Sequence, residues 1–423
     1  TQPTSGVAAW HVLFHVADAQ RRLGRFALAT RILTRIVHGH DAQPAVQAVL
    51  AETRLDEARS LLAAGYVHRA HAALVASMYD ASDALHADKL LTTAWKVAGD
   101  ACFLLSKLDA LRAAETEVVP PAGASEGLRS VLYSLVLLLG QLDVDARLAA
   151  IDAASAADLA NDVPAASDRT ALDAAGYATH AVLCYKYVAL AHTTESKTAV
   201  FAWADLAMGL ARLATALRAA DAERSALAHE QAVQCVRLAL ARKSQARLWM
   251  LLGNLFFEED VGTAQHAYIM AIETGAKSPA PWTNLGFLYL RQNDAELAEQ
   301  AFVRAQTMAP DWPASWLGRA LLLAQHSPDL RARLSLFEHA YMLSEGASLE
   351  ADYGFALAAF ARLAHAARAA PSRVLAPLLA ANHYVAREPL DDAALHLSAL
   401  LAEQLGASRL AIERIEDVLR RLQ

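Results

Sequence analysis

Few residues of this 423-residue sequence have a type and spacing that could do covalent chemistry. Gly123, Ala124, Ser125, Glu126 and Gly127 match GxSxG, the turn that exposes a nucleophilic serine between a strand and a helix. The motif follows Pro120 and Pro121 with no strand before it, so the strained turn is missing and the match reads as chance. His229 and Glu230 lack the second histidine of HExxH, and the pairs His11/His15 and His38/His40 have no acidic or cysteine companion at zinc spacing. Cys102, Cys184 and Cys235 lie far apart without CxxC spacing and read as small core residues of a reducing compartment. No glycine-rich phosphate loop is present. The sequence therefore predicts no catalytic residue, no cofactor and no metal site.

The remaining chemistry is non-covalent. Asn254 and Asn284 carry carboxamides that can hydrogen-bond an extended peptide backbone or, equally, bond neighbouring helices. Phe257, Phe287 and Arg291 lie near the same face by position and would widen such a site, although both phenylalanines also fit a core. Arg21, Arg22 and Arg25, with Arg31 and Arg35, face only Asp18 among residues 1–40. They form a candidate basic patch for RNA or an acidic partner, against the plainer reading of a solvated helix face.

Positioning these groups falls to helices. Hydrophobic residues make up 55% and charged residues 20%, a globular composition, and alanine-rich stretches such as 146–160 and 356–370 favour helix. Prolines and glycines fall mostly between apolar-periodic segments as stop signals. The net charge of −7 and pI near 6.1 exclude a surface that attracts phosphate backbones throughout. The longest strongly apolar run, 131–139, is shorter than the ~20 residues a bilayer span needs. The sequence opens at Thr1 with neither methionine nor a signal-peptide pattern, as a fragment or a processed chain would.

The helices repeat. Trp95, Trp203, Trp249, Trp282 and Trp316 each stand early in a helix, three or four residues before a small residue or glycine. From Pro279, the residues Trp282, Leu285, Gly286, Tyr289, Ala298, Phe302, Ala305 and Pro310 occupy positions 4, 7, 8, 11, 20, 24, 27 and 32 of a 34-residue period, the full tetratricopeptide signature. Gly286 and Ala298 are expected to be small because the paired helices cross there, and Pro310 to end the second helix. Trp249, Leu252 and Gly253 open the preceding unit, with Ala264, Tyr268 and Ala271 in its second helix. Trp316 and Ala320 open the following one, with Phe337 and Ala340 displaced by one. Weaker copies, at Gly24 to Ile36, Gly65 to Ser77 and Leu397 to Val418, raise the count to roughly eight or nine units. The expectation is an all-α, right-handed superhelical α-solenoid of tetratricopeptide helix pairs. Its predicted divisions are 1–116, irregular units with a long loop over 117–244, three regular units over 245–346, and degenerate units over 347–423.

The stretch from Trp282 to Leu322 (WTNLGFLYLRQNDAELAEQAFVRAQTMAPDWPASWLGRALL) resembles the tetratricopeptide scaffold family of the superkiller (Ski) complex. Segments beginning at Ala94, Ala232 and Ser344 agree with it in the same order. The resemblance implies a non-catalytic cytoplasmic scaffold, with the nucleus as an alternative place. It would bind a superkiller-type RNA helicase, a WD40 propeller subunit and an exosome adaptor, contact RNA at most indirectly and touch no membrane. That assembly would deliver RNA for 3′-to-5′ decay. The alternative is an adaptor or co-chaperone whose concave groove binds an extended peptide. The carboxylate-clamp form of that adaptor needs cations where Met250, Ala314 and Gly318 stand, so the charges that would hold an acidic terminus are lacking.

Overall fold

The computed structural model describes residues 5–39, 43–64, 66–112, 131–132, 135, 173–191, 197–275, 277–363, 370–387, 391–407, 409–414 and 416. Gly65, Ile415, Val418 and the GxSxG segment lie outside them, as does His40. Two compact units divide at Ser244/Gln245.

The first unit comprises α1 (Ser5–Arg22), α2 (Phe26–Gly39), α3 (Pro44–Ala63), α4 (Val67–Ala87), α5 (Thr92–Arg112), α6 (Ala174–Ala191), α7 (Lys197–Leu217) and α8 (Ala222–Arg242). The helices pack as consecutive antiparallel pairs, and the first helices of successive pairs, α3 with α5 and α5 with α7, also meet. The apolar spacing explains the pairing: Ala29, Leu33 and Ile36 on α2, and Ala70, Leu74 and Ser77 on α4, recur at helical intervals and are all buried. The Ser77 hydroxyl donates to the Ala51 carbonyl at 2.7 Å, tying α4 to α3.

Helix α6 is buried on every side from Gly176 to Ala189, in keeping with its largely apolar sequence, and encloses Thr179, His180 and Lys186. Within α7, Ala199–Leu217 is long and apolar enough to cross a membrane by composition, yet 61% of it is buried in the protein. Its Asp205 is paired to Lys96 of α5 at 2.5 Å, and Trp203 and Leu206 are in the core, so it serves as a core helix. Cys102, Cys184 and Cys235 are buried free thiols, as the sequence predicts, and desolvation pushes Cys184 and Cys235 up to about 12.

The second unit comprises α9 (Ala246–Phe256), α10 (Val261–Glu273), α11 (Ala280–Arg291), α12 (Ala295–Met308), α13 (Pro313–His326), α14 (Leu330–Ser344), α15 (Leu349–Leu363), α16 (Pro371–Arg387) and α17 (Asp392–Leu405). The regular units are α9–α10, α11–α12 and α13–α14, and first helices again meet, α11 with α13 and α15 with α17. Each second helix of the regular units opens on an aspartate N-cap: Asp260, Asp294 and Asp329 accept backbone N–H bonds from the first turn. Helix α12 ends at Met308, and Pro310 stands two residues later, after the C-cap Ala309, where it can neither donate nor continue the helix.

Two sequence expectations need correction here. What keeps Gly286 small is an aromatic ring rather than a helix backbone: a Cβ there would lie 2.6 Å from Phe302 Cε1. Gly253 faces Tyr268 and Gly354 faces Phe337 in the same way, so each glycine is a seat for the ring of a second helix. The tryptophans are also not fully equivalent. Trp95, Trp249 and Trp316 are fourth in their helices and Trp282 third, but Trp203 is seventh in the longer α7. At two of these places the indole reaches back six residues: Trp95 Nε1 donates to the Lys89 carbonyl at 2.9 Å and Trp316 Nε1 to the Pro310 carbonyl at 2.7 Å.

Candidate groove of the second unit

Helices α9, α11 and α13 line an open depression of about 650 Å³ in the second unit. Its walls are Asn254, Phe257, Tyr268, Asn284, Phe287, Leu290, Arg291 and Gln325. All five residues singled out from the sequence therefore converge on one place. Their spacing explains why: first helices of neighbouring units stack in register, so residues about one period apart point to the same side.

The carboxamides form a short chain. Asn254 Oδ1 accepts from Asn284 Nδ2 at 2.9 Å and from the Tyr268 hydroxyl at 2.9 Å. This realises the helix-to-helix use of the asparagines and still leaves Asn254 Nδ2 as a donor and Asn284 Oδ1 as an acceptor. A peptide group offers the complementary pair, one C=O and one N–H. Desolvation raises the Tyr268 phenol above its ordinary range, although a bond with Asn284 opposes the shift, so it remains a donor at neutral pH. The Phe257 and Phe287 side chains are half-buried, with Phe287 edge-on to Phe302 at 5.2 Å. They supply apolar walls beside the amides.

Arg291 has a different task from the one its position suggests. Its guanidinium donates to the carbonyls of Phe257 and Glu258, the latter at 2.7 Å, and lies 5.6 Å from the centre of the Phe257 ring. It thus caps the carbonyl end of the preceding first helix and fixes a groove wall. Tyr268, Leu290 and Gln325 were not selected from sequence. Tyr268 matches the repeat signature and reads as core, while Gln325 carries no signal beyond its place on the next first helix.

The candidate basic patch does not present three open cations. Arg21 retains only 16% exposure and is paired with Asp18 at 3.1 Å, Glu52 at 2.8 Å and Asp56 at 3.1 Å. The acids that neutralise it come mainly from α3, outside the window in which the patch was noticed. Arg22 is exposed and pairs with Asp18 at 2.9 Å, and Arg25 borders a shallow hollow with Glu57. The ion pairs continue from Asp56 to Arg59, Asp100, Lys96 and Asp205, joining α3, α5 and α7. Among the described residues no group of three or more His, Cys, Asp or Glu side chains is placed to hold a metal.

Comparison with known proteins adds a partial kinship. No family model matches the chain. Superkiller protein 3 of Saccharomyces cerevisiae is 31% identical over 115 residues, which are 27% of this chain and 8% of that protein. Tetratricopeptide repeat protein 37 of Xenopus laevis is 34% identical over 119 residues, and superkiller complex protein 3 of Mus musculus 31% over 126; each match again takes in 8% of the relative. Among solved structures, yeast Tom70 aligns with 97% of this chain and 91% of its own at 13% identity and a TM-score of 0.38. Pseudomonas aeruginosa PilF aligns with 53% of this chain and 91% of its own at 18% identity and a TM-score of 0.41. The chain carries the tetratricopeptide signature in a stack of helix pairs, and over about a quarter of its length it is similar to superkiller protein 3.

Proposed function

We propose that this chain is a non-catalytic scaffold that holds an extended stretch of a partner protein in the groove of its second unit. The observation that carries the proposal is the convergence of Asn254, Asn284, Phe257 and Phe287 on one open depression, with a donor and an acceptor left over beside apolar walls. A main-chain strand satisfies such groups whatever its sequence, and side-chain pockets then select among strands.

The similarity to superkiller protein 3 supports placing the scaffold in a superkiller-type assembly in the cytoplasm. There it would bind the RNA helicase, the WD40 propeller and the exosome adaptor, and so serve 3′-to-5′ RNA decay. The co-chaperone alternative is less favoured: Met250, Ala314 and Gly318 replace the clamp cations, and the Arg291 guanidinium is turned onto carbonyl oxygens.

Affinity capture with the whole chain tests both levels. Recovery of the helicase, propeller or adaptor, identified by mass spectrometry, is the expected result, and recovery of heat-shock proteins alone overturns the assembly. The double variant Asn254→Ala/Asn284→Ala should weaken a groove-bound partner about thirtyfold, from two hydrogen bonds worth ~1 kcal/mol each. Unchanged capture of every partner by that variant removes the groove from the function.

A further inference from the structure

Resting on the groove reading above, we propose that the occupant is an extended protein segment anchored by an aromatic side chain, whose ring stacks on the Arg291 guanidinium beside the Asn254–Asn284 pair. Arg291 is the one cation among the described residues that line the groove. A guanidinium donates its N–H bonds in its own plane and offers its faces to π systems. Here two of those bonds run to the carbonyls of Phe257 and Glu258, the latter at 2.7 Å. The Phe257 ring lies to one side, with its centre 5.6 Å from Cζ. Arg291 is nevertheless exposed, so the guanidinium surface that Phe257 and the carbonyls leave uncovered is open to the depression.

Charge and position both make a ring the complementary group. The cation attracts the negative face of an aromatic ring, and this contact leaves both helix-end bonds in place, whereas a carboxylate competes with those carbonyls for N–H groups. Phe257, Arg291 and Gln325 follow one another at intervals of 34 residues, and all three line the depression. The guanidinium therefore has an aromatic wall in the preceding unit and a neutral, exposed amide in the following one. Gln325 adds a donor and an acceptor for the main chain that carries the ring. A nucleobase would also stack on such a face, but the lining supplies no second cation for phosphates and the chain carries a net charge of −7, so the observations favour protein.

The test titrates the whole chain by calorimetry with unlabelled Gly/Ser nonapeptides blocked at both ends, whose central residue is Phe, cyclohexylalanine, pentafluorophenylalanine or Ser. Cyclohexylalanine keeps a six-membered apolar ring without π electrons, and fluorination reverses the charge of the ring face. The Phe peptide should bind about threefold tighter than either, as an exposed cation–π contact predicts, and all three should bind tighter than the Ser peptide. Arg291→Gln, with its folding checked by circular dichroism, should bring the three ring peptides within about 1.5-fold of one another. The ring series on the unaltered chain decides the question even where that variant does not fold. A Phe peptide that binds no tighter than its cyclohexyl or fluorinated counterpart overturns the aromatic anchor and leaves the groove standing. Failure of every peptide to bind overturns the groove and the anchor together. Displacement of the Phe peptide by a short single-stranded RNA, lost in Arg291→Gln, assigns the guanidinium to bases and overturns the protein occupant.

Discussion

Gly286→Ala sets two effects of opposite sign against each other inside one helix. Alanine is favoured over glycine in a helix interior by ~1 kcal/mol, so propensity alone stabilises α11. The added Cβ, however, would stand 2.6, 2.7 and 2.9 Å from three ring carbons of Phe302, whereas ordinary contact begins near 3.4 Å. Phe302 has no exposed surface, and it cannot retreat: a Cβ at Gly318 on the following first helix would be only 2.2 Å from the same ring. The ring is thus seated between two glycines, with Phe287 edge-on at 5.2 Å. Overpacking costs ~1–3 kcal/mol, and three contacts under 3.0 Å put this case in the upper part, ~2–3, so after the helix gain the net expectation is a loss of ~1–2 kcal/mol. Because stacked repeats need not unfold as one, the loss is best read by native-state hydrogen exchange at α11 and α12, where protection should fall about tenfold. Phe302→Leu should cost stability alone yet cost less in the Gly286→Ala background, with a coupling above ~0.5 kcal/mol. An increase in protection on Gly286→Ala, as propensity alone requires, would refute the seated-ring account.

Four further outcomes follow from the same geometry. Arg21→Met leaves Asp18, Glu52 and Asp56 around a nearly buried position without their shared cation, so apparent stability should drop by ~1–3 kcal/mol. Arg25→Ala should stay within ~0.5 kcal/mol, and a titration with short RNA should be unmoved by Arg22→Ala/Arg25→Ala. Asp80 is raised from 3.8 to about 6, mainly by burial and against the opposing attraction of Arg54. The folded chain holds this proton more tightly than the unfolded chain, so stability contributed by the protonated carboxyl is present below about pH 4 and is lost as pH rises towards about 6. Asp80→Asn should flatten that slope in thermal unfolding measured across the window. Trp316→Phe deletes the 2.7 Å bond to the Pro310 carbonyl and should cost ~1 kcal/mol, read as faster exchange around the α12–α13 turn.

Much of the fold was legible before any coordinates. The repeat period, the pairing of helices, the stop at Pro310 and the buried series on α2 and α4 depend on short-range rules, in which residue type and spacing act within one or two turns. The groove could also be read by register, since Asn254 and Asn284, and Phe257 and Phe287, each lie 30 residues apart on stacked helices. The aspartate caps at Asp260, Asp294 and Asp329 were an available signal that the repeat reading passed over, because the apolar signature does not include them.

What the sequence by itself determined is this periodic frame and which side of it each residue occupies. Tertiary structure alone decided what each long polar or aromatic side chain touches. Arg291 reaches back to carbonyls 33 and 34 residues away, Arg21 gathers acids up to 35 residues away, and the neighbour of Gly286 is a ring rather than a backbone. The physical reason is that helix periodicity fixes the direction in which a residue leaves the backbone. The partner at the end of a flexible or bulky side chain depends on which helices stand beside it, and the local sequence does not encode that.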